Sequence, residues 1–170
     1  LGDQLIRSIL PEATIIRTAW LFDANDGSFF SKVIEHIDAR KRAKGATDQM
    51  GCPTYLPSLA DALMALVEAL LLGKTLPTTL HLAGRGEATR FDVVSRMARA
   101  YSALTGSDVM VEEALLSDWG TTTNRPLDTR LDISLASSLG IGLTAWQEGV
   151  DRAVKDWVLL RDKDRLKKLG

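Results

Sequence analysis

Ala13-Thr14-Ile15-Ile16-Arg17-Thr18-Ala19-Trp20 is the stretch on which the fold turns. Its middle is short, apolar and β-branched, the composition of a strand. Before it, Leu5, Ile6, Ile9 and Leu10 repeat at helical spacing, and Pro11 stops them. After it, Asp23 to Gly27 has loop chemistry, and Ser28 can cap a helix whose apolar stripe is Phe30, Val33, Ile34 and Ile37. Helix, strand, helix in that order predicts an α/β unit. Arg17, Thr18 and Trp20 then stand at the carboxyl end of a strand, where open α/β sheets bind ligands. An indole placed there either stacks on a sugar or base, or anchors the loop from within.

Working outward, Arg40-Lys41-Arg42 with Lys44 reads as a solvated basic helix end that suits the macrodipole and stops at Gly45. Residues 46–57, with Gly51, Pro53 and Pro57, read as an irregular loop. Within it, Asp48-Gln49-Met50-Gly51-Cys52-Pro53-Thr54 concentrates amide, carboxylate and hydroxyl groups, which serve ligand hydroxyls or the loop's own hydrogen bonds. Ser58 and Asp61 have capping-box spacing for a helix to about Leu72. Leu80 to Ala83 reads as a strand, Thr89 with Asp92 as a second capping box, and Gly106 as that helix's stop. Val109 to Val111 reads as a strand and residues 117–131 as a polar, turn-rich segment. Asp132 caps a short helix ending at Gly140. Thr144 caps a long last one, with Trp146 and Trp157 on its core face. Residues 161–170 fray or extend it.

Composition narrows the classes. The 170 residues suit about one ordinary domain, with 45% hydrophobic and 25% charged residues. Twenty-one basic against twenty-two acidic residues give a net charge of −1, which argues against nucleic-acid or anionic-membrane partners. No run of about 18 apolar residues is present to span a bilayer. The single Cys52 excludes an internal disulfide and fits a reducing, cytoplasmic setting. His36, read as solvated, His81, read as structural, and Cys52 have no metal-ligand spacing. A G-x-S-x-G nucleophile elbow is absent. Gly84-Arg85-Gly86 and Gly140-Ile141-Gly142 resemble dinucleotide fingerprints by letters, but a turn with a helix cap and a helix stop explain them. Arg125-Pro126, in a polar loop, suits either bidentate phosphate binding or a surface ion pair.

Several segments, in chain order, resemble the dTDP-4-dehydrorhamnose reductase family of the extended short-chain dehydrogenase/reductase superfamily. They are Ile15 to Trp20, Gly27-Ser28-Phe29-Phe30, Asp48 to Thr54, Leu56-Pro57-Ser58-Leu59-Ala60, His81-Leu82-Ala83-Gly84 and Asn124-Arg125-Pro126-Leu127-Asp128-Thr129-Arg130-Leu131-Asp132. The resemblance implies an α/β, mostly helical carboxyl half of a Rossmann-type reductase with a few short strands. Residues 1–45 would be a late Rossmann helix-strand-helix remnant and 46–170 the substrate-binding region. The parent would be an enzyme of roughly 300 residues. It would use NADPH, or NADH, to reduce a dTDP-4-keto-6-deoxy sugar to dTDP-rhamnose.

The family's Tyr-x-x-x-Lys pair does not occur at Tyr55, followed by Leu59, or at Tyr101, followed by Thr105. The amino-terminal glycine fingerprint is also absent. The resemblance therefore implies that Leu1-Gly2-Asp3-Gln4 begins just after the catalytic Lys. It assigns no catalytic residue or metal ligand to this chain, and no cofactor bound to the chain alone. Carried over by position, Trp20 lines the sugar pocket, and Ser28 stands where relatives often have an Asn reaching the diphosphate. Gln49, Pro53 and Thr54 lie over the substrate, Arg125 lies near the diphosphate, and Arg17 and Thr18 flank the nicotinamide. The stretch between Ala39 and Asp48 looks short of the family's usual strand. A missing amino-terminal Rossmann half and a homodimer are the expected partners. The alternatives are a non-catalytic regulatory or scaffold module and part of another nucleotide-sugar epimerase or dehydratase.

Overall fold

The computed structural model describes residues 2–25, 27–120, 123 and 125–167, with side chains through residue 162. Leu1, Asn124 and the last three residues lie outside the described part, so the Asn124 position of the family pattern receives no structural account. The chain is α/β and mostly helical. Helices α1 (Gly2–Ile9), α2 (Phe29–Arg40), α3 (Leu56–Leu71), α4 (Arg90–Thr105), α5 (Ser134–Ser138) and α6 (Trp146–Lys167) alternate with short strands. Among the described residues no helix is long and apolar enough to cross a membrane.

The strands are β1 (Ile15–Arg17), β2 (Leu21–Phe22), β3 (Arg42–Ala46), β4 (Met50–Gly51), β5 (Thr54–Tyr55), β6 (Thr79–His81), β7 (Ala88–Thr89) and β8 (Met110–Ala114). They pair two by two. β1 runs parallel to β6, β2 to β5 and β3 to β8, whereas β4 is antiparallel to β7. Parallel pairs need crossovers, and the intervening helices supply them.

Two apolar clusters hold these elements. In the larger, Phe30, Ile34 and Ile37 of α2 meet Val94 and Met97 of α4 and Val150 and Val154 of α6. Phe22 stacks on Phe30 with centroids 5.4 Å apart. The smaller packs Leu59 and Leu66 of α3 against Leu80, Leu82, Ala136 and Leu143. Trp146 and Trp157 belong to the larger core, as their helical spacing implies.

Local signals in the sequence behave as physics predicts at several ends. Ser28 Oγ accepts from Ser31 N at 3.0 Å and caps α2. Thr89 and Asp92 form a reciprocal capping box on α4. Asp132, by contrast, is not the cap of α5: the cap position falls on Ile133, and Asp132 Oδ1 accepts from Ser134 N at 2.9 Å in the turn that leads into the helix. His81 Nδ1 lies 3.1 Å from the Asp132 carbonyl, a structural histidine, and His36 is exposed.

Other readings are corrected. The basic run after Arg40 is not a helix end. The chain leaves α2 at Lys41, whose φ is +53°, and Arg42–Ala46 becomes β3, paired with all of β8. The strand looked for between Ala39 and Asp48 is therefore present. Its inward residues are Ala43, Gly45 and Ala46, too small to announce a strand by hydrophobic alternation. Gly45 is needed there, because a Cβ would lie 2.4 Å from Phe91 Cα. Arg42 and Lys44 point outward and pair with Glu112, whose carboxyl they hold below its ordinary range.

Residues 46–57 are not wholly irregular, since β4 and β5 lie within them. Helix α3 begins at Leu56, with Pro57 in its first turn, so Ser58 is no cap; its hydroxyl instead accepts from Thr144 N at 3.0 Å. Thr144 does not cap α6 by its side chain, because its buried hydroxyl has no hydrogen-bond partner among the described residues. The polar segment after residue 115 carries a 3-10 turn, Leu116–Trp119.

Candidate functional site

The site forms where β2, β4 and the starts of α2 and α4 converge. Trp20 bends the chain after β1 with a φ of +47°. Its carbonyl accepts from Thr54 N at 3.0 Å, which ties the bend to the loop between β4 and β5. One face of the indole lies on Gly51, where a Cβ would come within 2.3 Å of the ring. The Arg90 guanidinium covers the indole at 3.6 Å from the ring centroid. The ring is thus packed between loop backbone and a cation, and Trp20 is not among the residues that line the hollows described next.

Gln49 is buried and grips the start of α4 twice. Its carbonyl accepts from Arg90 N at 3.2 Å, and its Oε1 accepts from Arg90 Nε at 3.3 Å. Phe29, the first residue of α2, stands 4.5 Å from the same guanidinium. Burial, and next the charge of Arg125, push the Arg90 guanidinium down to about 10.

These groups border a cavity of about 330 Å³ walled by Phe29, Gln49, Arg90, Trp119, Arg125 and residues 44–46 of β3. That volume lies within the span of small-molecule sites, roughly 300–1,000 Å³. A second hollow of about 500 Å³ adjoins it, sharing Phe29, Lys44 and Trp119 and adding Lys32, His36 and Arg42. No aspartate or glutamate lines either hollow among the described residues. The surface is aromatic and cationic, suited to a flat ring joined to an anion.

The remaining anticipated residues occupy different places. Pro53 and Thr54 are fully buried beneath the site. Thr54 Oγ1 donates to the Cys52 carbonyl and accepts from Gly84 N, both at 3.1 Å, so it ties the loop to the segment after β6. Thr54→Val is expected to leave the Gly84 N–H unpaired and to cost about 1–3 kcal/mol, read as a lower urea midpoint. The Ser28 hydroxyl is engaged in capping α2 and sets the place of Phe29. Arg125 is exposed at the cavity mouth and has no ion pair among the described residues.

Arg17 and Thr18 sit apart from the cavity, at the carboxyl end of β1. Thr18 is exposed, while the Arg17 guanidinium pairs with Asp3 of α1 at 2.6 Å. A nicotinamide could meet the strand end and the Thr18 hydroxyl there, with the Arg17 charge already matched. Among the described residues no three His, Cys, Asp or Glu side chains gather to hold a metal.

Arg90 is the residue sequence reasoning missed. Its signal was present, because a cation at the first position of a helix opposes the macrodipole, which favours acids there.

The RmlD substrate binding domain family model matches residues 1–159. The chain belongs to this family. Every residue of the site falls within the matched span. The dTDP-4-dehydrorhamnose reductase of Sinorhizobium fredii is 29% identical over 162 residues, covering 94% of this chain and 54% of that protein. The reductase of the same name from Mycolicibacterium smegmatis is 33% identical over 156 residues, covering 90% of this chain and 45% of its own. The chain therefore spans about half the length of the curated relatives it matches. The dTDP-4-dehydrorhamnose reductase of Bacillus anthracis, solved in complex with NADP, shares the fold with a TM-score of 0.72 at 22% identity. That match covers 91% of this chain and 52% of the other. The family's α/β reductase fold is thus the fold of this RmlD-type domain.

Proposed function

We propose that this chain is the substrate-binding portion of an NADPH-dependent dTDP-4-dehydrorhamnose reductase that makes dTDP-rhamnose. The observation that carries the reading is the cavity itself, where aromatic walls, the Gln49 amide and cationic side chains without a lining carboxylate meet inside the family match. A nucleoside diphosphate sugar presents the complementary set: a flat base, a diphosphate and hydroxyls. In this reading Arg125 takes the diphosphate and Gln49 faces the ligand. Trp20 backs the Arg90 guanidinium, and Ser28, Pro53 and Thr54 hold the walls in place.

Residues 1–45 would form the late Rossmann segment and 46–170 the substrate region. Arg17 and Thr18 would flank the cofactor, which supplies the hydride when bound. The proton donor would come from outside this chain. The Tyr101 hydroxyl donates to Asp38 at 2.6 Å and the Tyr55 hydroxyl to Asp156 at 3.3 Å, so both are committed within the core.

A partner surface is also available. β1 pairs on one side only among the described residues, and α1 exposes Leu5, Ile6, Ile9 and Leu10. A preceding Rossmann half, or a second copy in a homodimer, would cover them. Binding is the direct test. By calorimetry the purified chain is expected to prefer dTDP-rhamnose over UDP-glucose by at least about tenfold. Equal or reversed preference would place it with the UDP-sugar epimerases or dehydratases. With NADPH and a dTDP-4-keto sugar the chain alone is expected to show no turnover, and a robust rate would overturn that. Turnover should appear on adding an amino-terminal half that carries the Gly-rich loop and Tyr-x-x-x-Lys. Its failure to appear would favour a non-catalytic module.

A further inference from the structure

We propose that Arg90 is a second diphosphate-recognising guanidinium, opposite Arg125, and that two aromatic rings rather than a carboxylate hold it in position. The inference rests on the nucleotide-sugar reading above and adds a specificity-determining residue to it. A half-buried arginine ordinarily has an acidic partner, because an unpaired charge is costly away from water. Arg90 has none among the described residues. Its supports are the Trp20 ring at 3.6 Å, the Phe29 ring at 4.5 Å and the Gln49 amide on Nε at 3.3 Å.

Those contacts orient the guanidinium without neutralising it. They also leave both Nη groups without a protein hydrogen-bond partner among the described residues. The second observation is independent of the first. Arg125 borders the same cavity, and its charge adds to burial in holding Arg90 down to about 10. Lys44, the third cation at this wall, is already paired with Glu112, whereas Arg90 and Arg125 repel across a hollow that no acid lines among the described residues, and a dianion placed between them relieves both. The planar fork of arginine matches two phosphate oxygens at once, which a lysine cannot do.

The experiment measures binding of dTDP and of inorganic pyrophosphate to the 170-residue chain, its Arg90→Gln variant and its Arg90→Lys variant. Arg90→Gln is expected to weaken both ligands by about 10- to 100-fold. Arg90→Lys keeps the charge but loses the fork and the flat stack. It is expected to fall between the two and serves where Arg90→Gln folds poorly. Equal dTDP affinity in the wild-type chain and in a folded Arg90 variant would overturn the role of Arg90 while leaving the nucleotide-sugar reading standing. Arg90-dependent binding of pyrophosphate with dTDP bound no more tightly would support the anion contact and overturn the nucleotide reading. Binding of neither ligand by the wild-type chain would overturn both.

Discussion

Replacing Phe30 with alanine is expected to remove about 3–5 kcal/mol of folding stability, the usual cost of emptying a buried aromatic site. Phe30 is 1% exposed. Its ring stacks on Phe22 with centroids 5.4 Å apart and an 18° interplanar angle. It lies in the cluster that joins α2, α4 and α6, so the cavity left by alanine faces several rigid helices that cannot close over it. Against a typical stability of about 5–15 kcal/mol, this loss leaves a marginal fold. In thermal unfolding it should appear as a fall of roughly 10 °C, given about 2–4 °C per kcal/mol for a chain of this size. A fall of under about 2 °C would mean that α2 is not held through this core. The effect should reach the site, since Phe29, next in the chain, stands over the Arg90 guanidinium.

Gly84→Ala is expected to have the next largest effect, about 3 kcal/mol, through overpacking. A Cβ at Gly84 would lie 2.1 Å from the Pro53 carbonyl oxygen. That neighbour is backbone, so no side-chain rotation can relieve the clash. Either the loop between β4 and β5 or the segment after β6 must move, and the Gly84 N–H bond to Thr54 Oγ1 would be strained with it. The Trp20 carbonyl is bonded to Thr54 N, so the displacement runs on to Trp20 and the Arg90 stacked on it. Urea unfolding should show the loss, and dTDP binding to the folded variant should weaken. Wild-type stability in Gly84→Ala would show that this approach is looser than the structure places it.

Both sites illustrate what a sequence makes legible. Ser28, and Thr89 with Asp92, act through atoms within three residues, so their pattern predicts the helix starts they make. The stripes of α2, α4 and α6 are legible for the same reason, because helical period is local. Ser58 and Thr144 carry similar letters and do otherwise. Ser58 accepts from Thr144 N, 86 residues away, and this long-range bond displaces the cap that the spacing implied. β3 escaped notice because its inward residues are small, and only its partner β8 and the close Phe91 backbone make it a strand.

The site divides along the same line. The resemblance in chain order picked out Gln49 and Arg125, which do border the cavity, and Trp20, which stands behind it. It did not anticipate the packing of Trp20 against Gly51 and the Arg90 guanidinium. The sequence by itself determined the α/β class, most helix boundaries and the family, since these rest on local periodicity, caps and the order of short motifs. Tertiary structure alone decided where charge goes unmatched. Whether Arg17 meets Asp3, or Arg90 meets aromatic rings and an amide in place of a carboxylate, depends on residues distant in the chain, and electrostatic pairing follows distance in space.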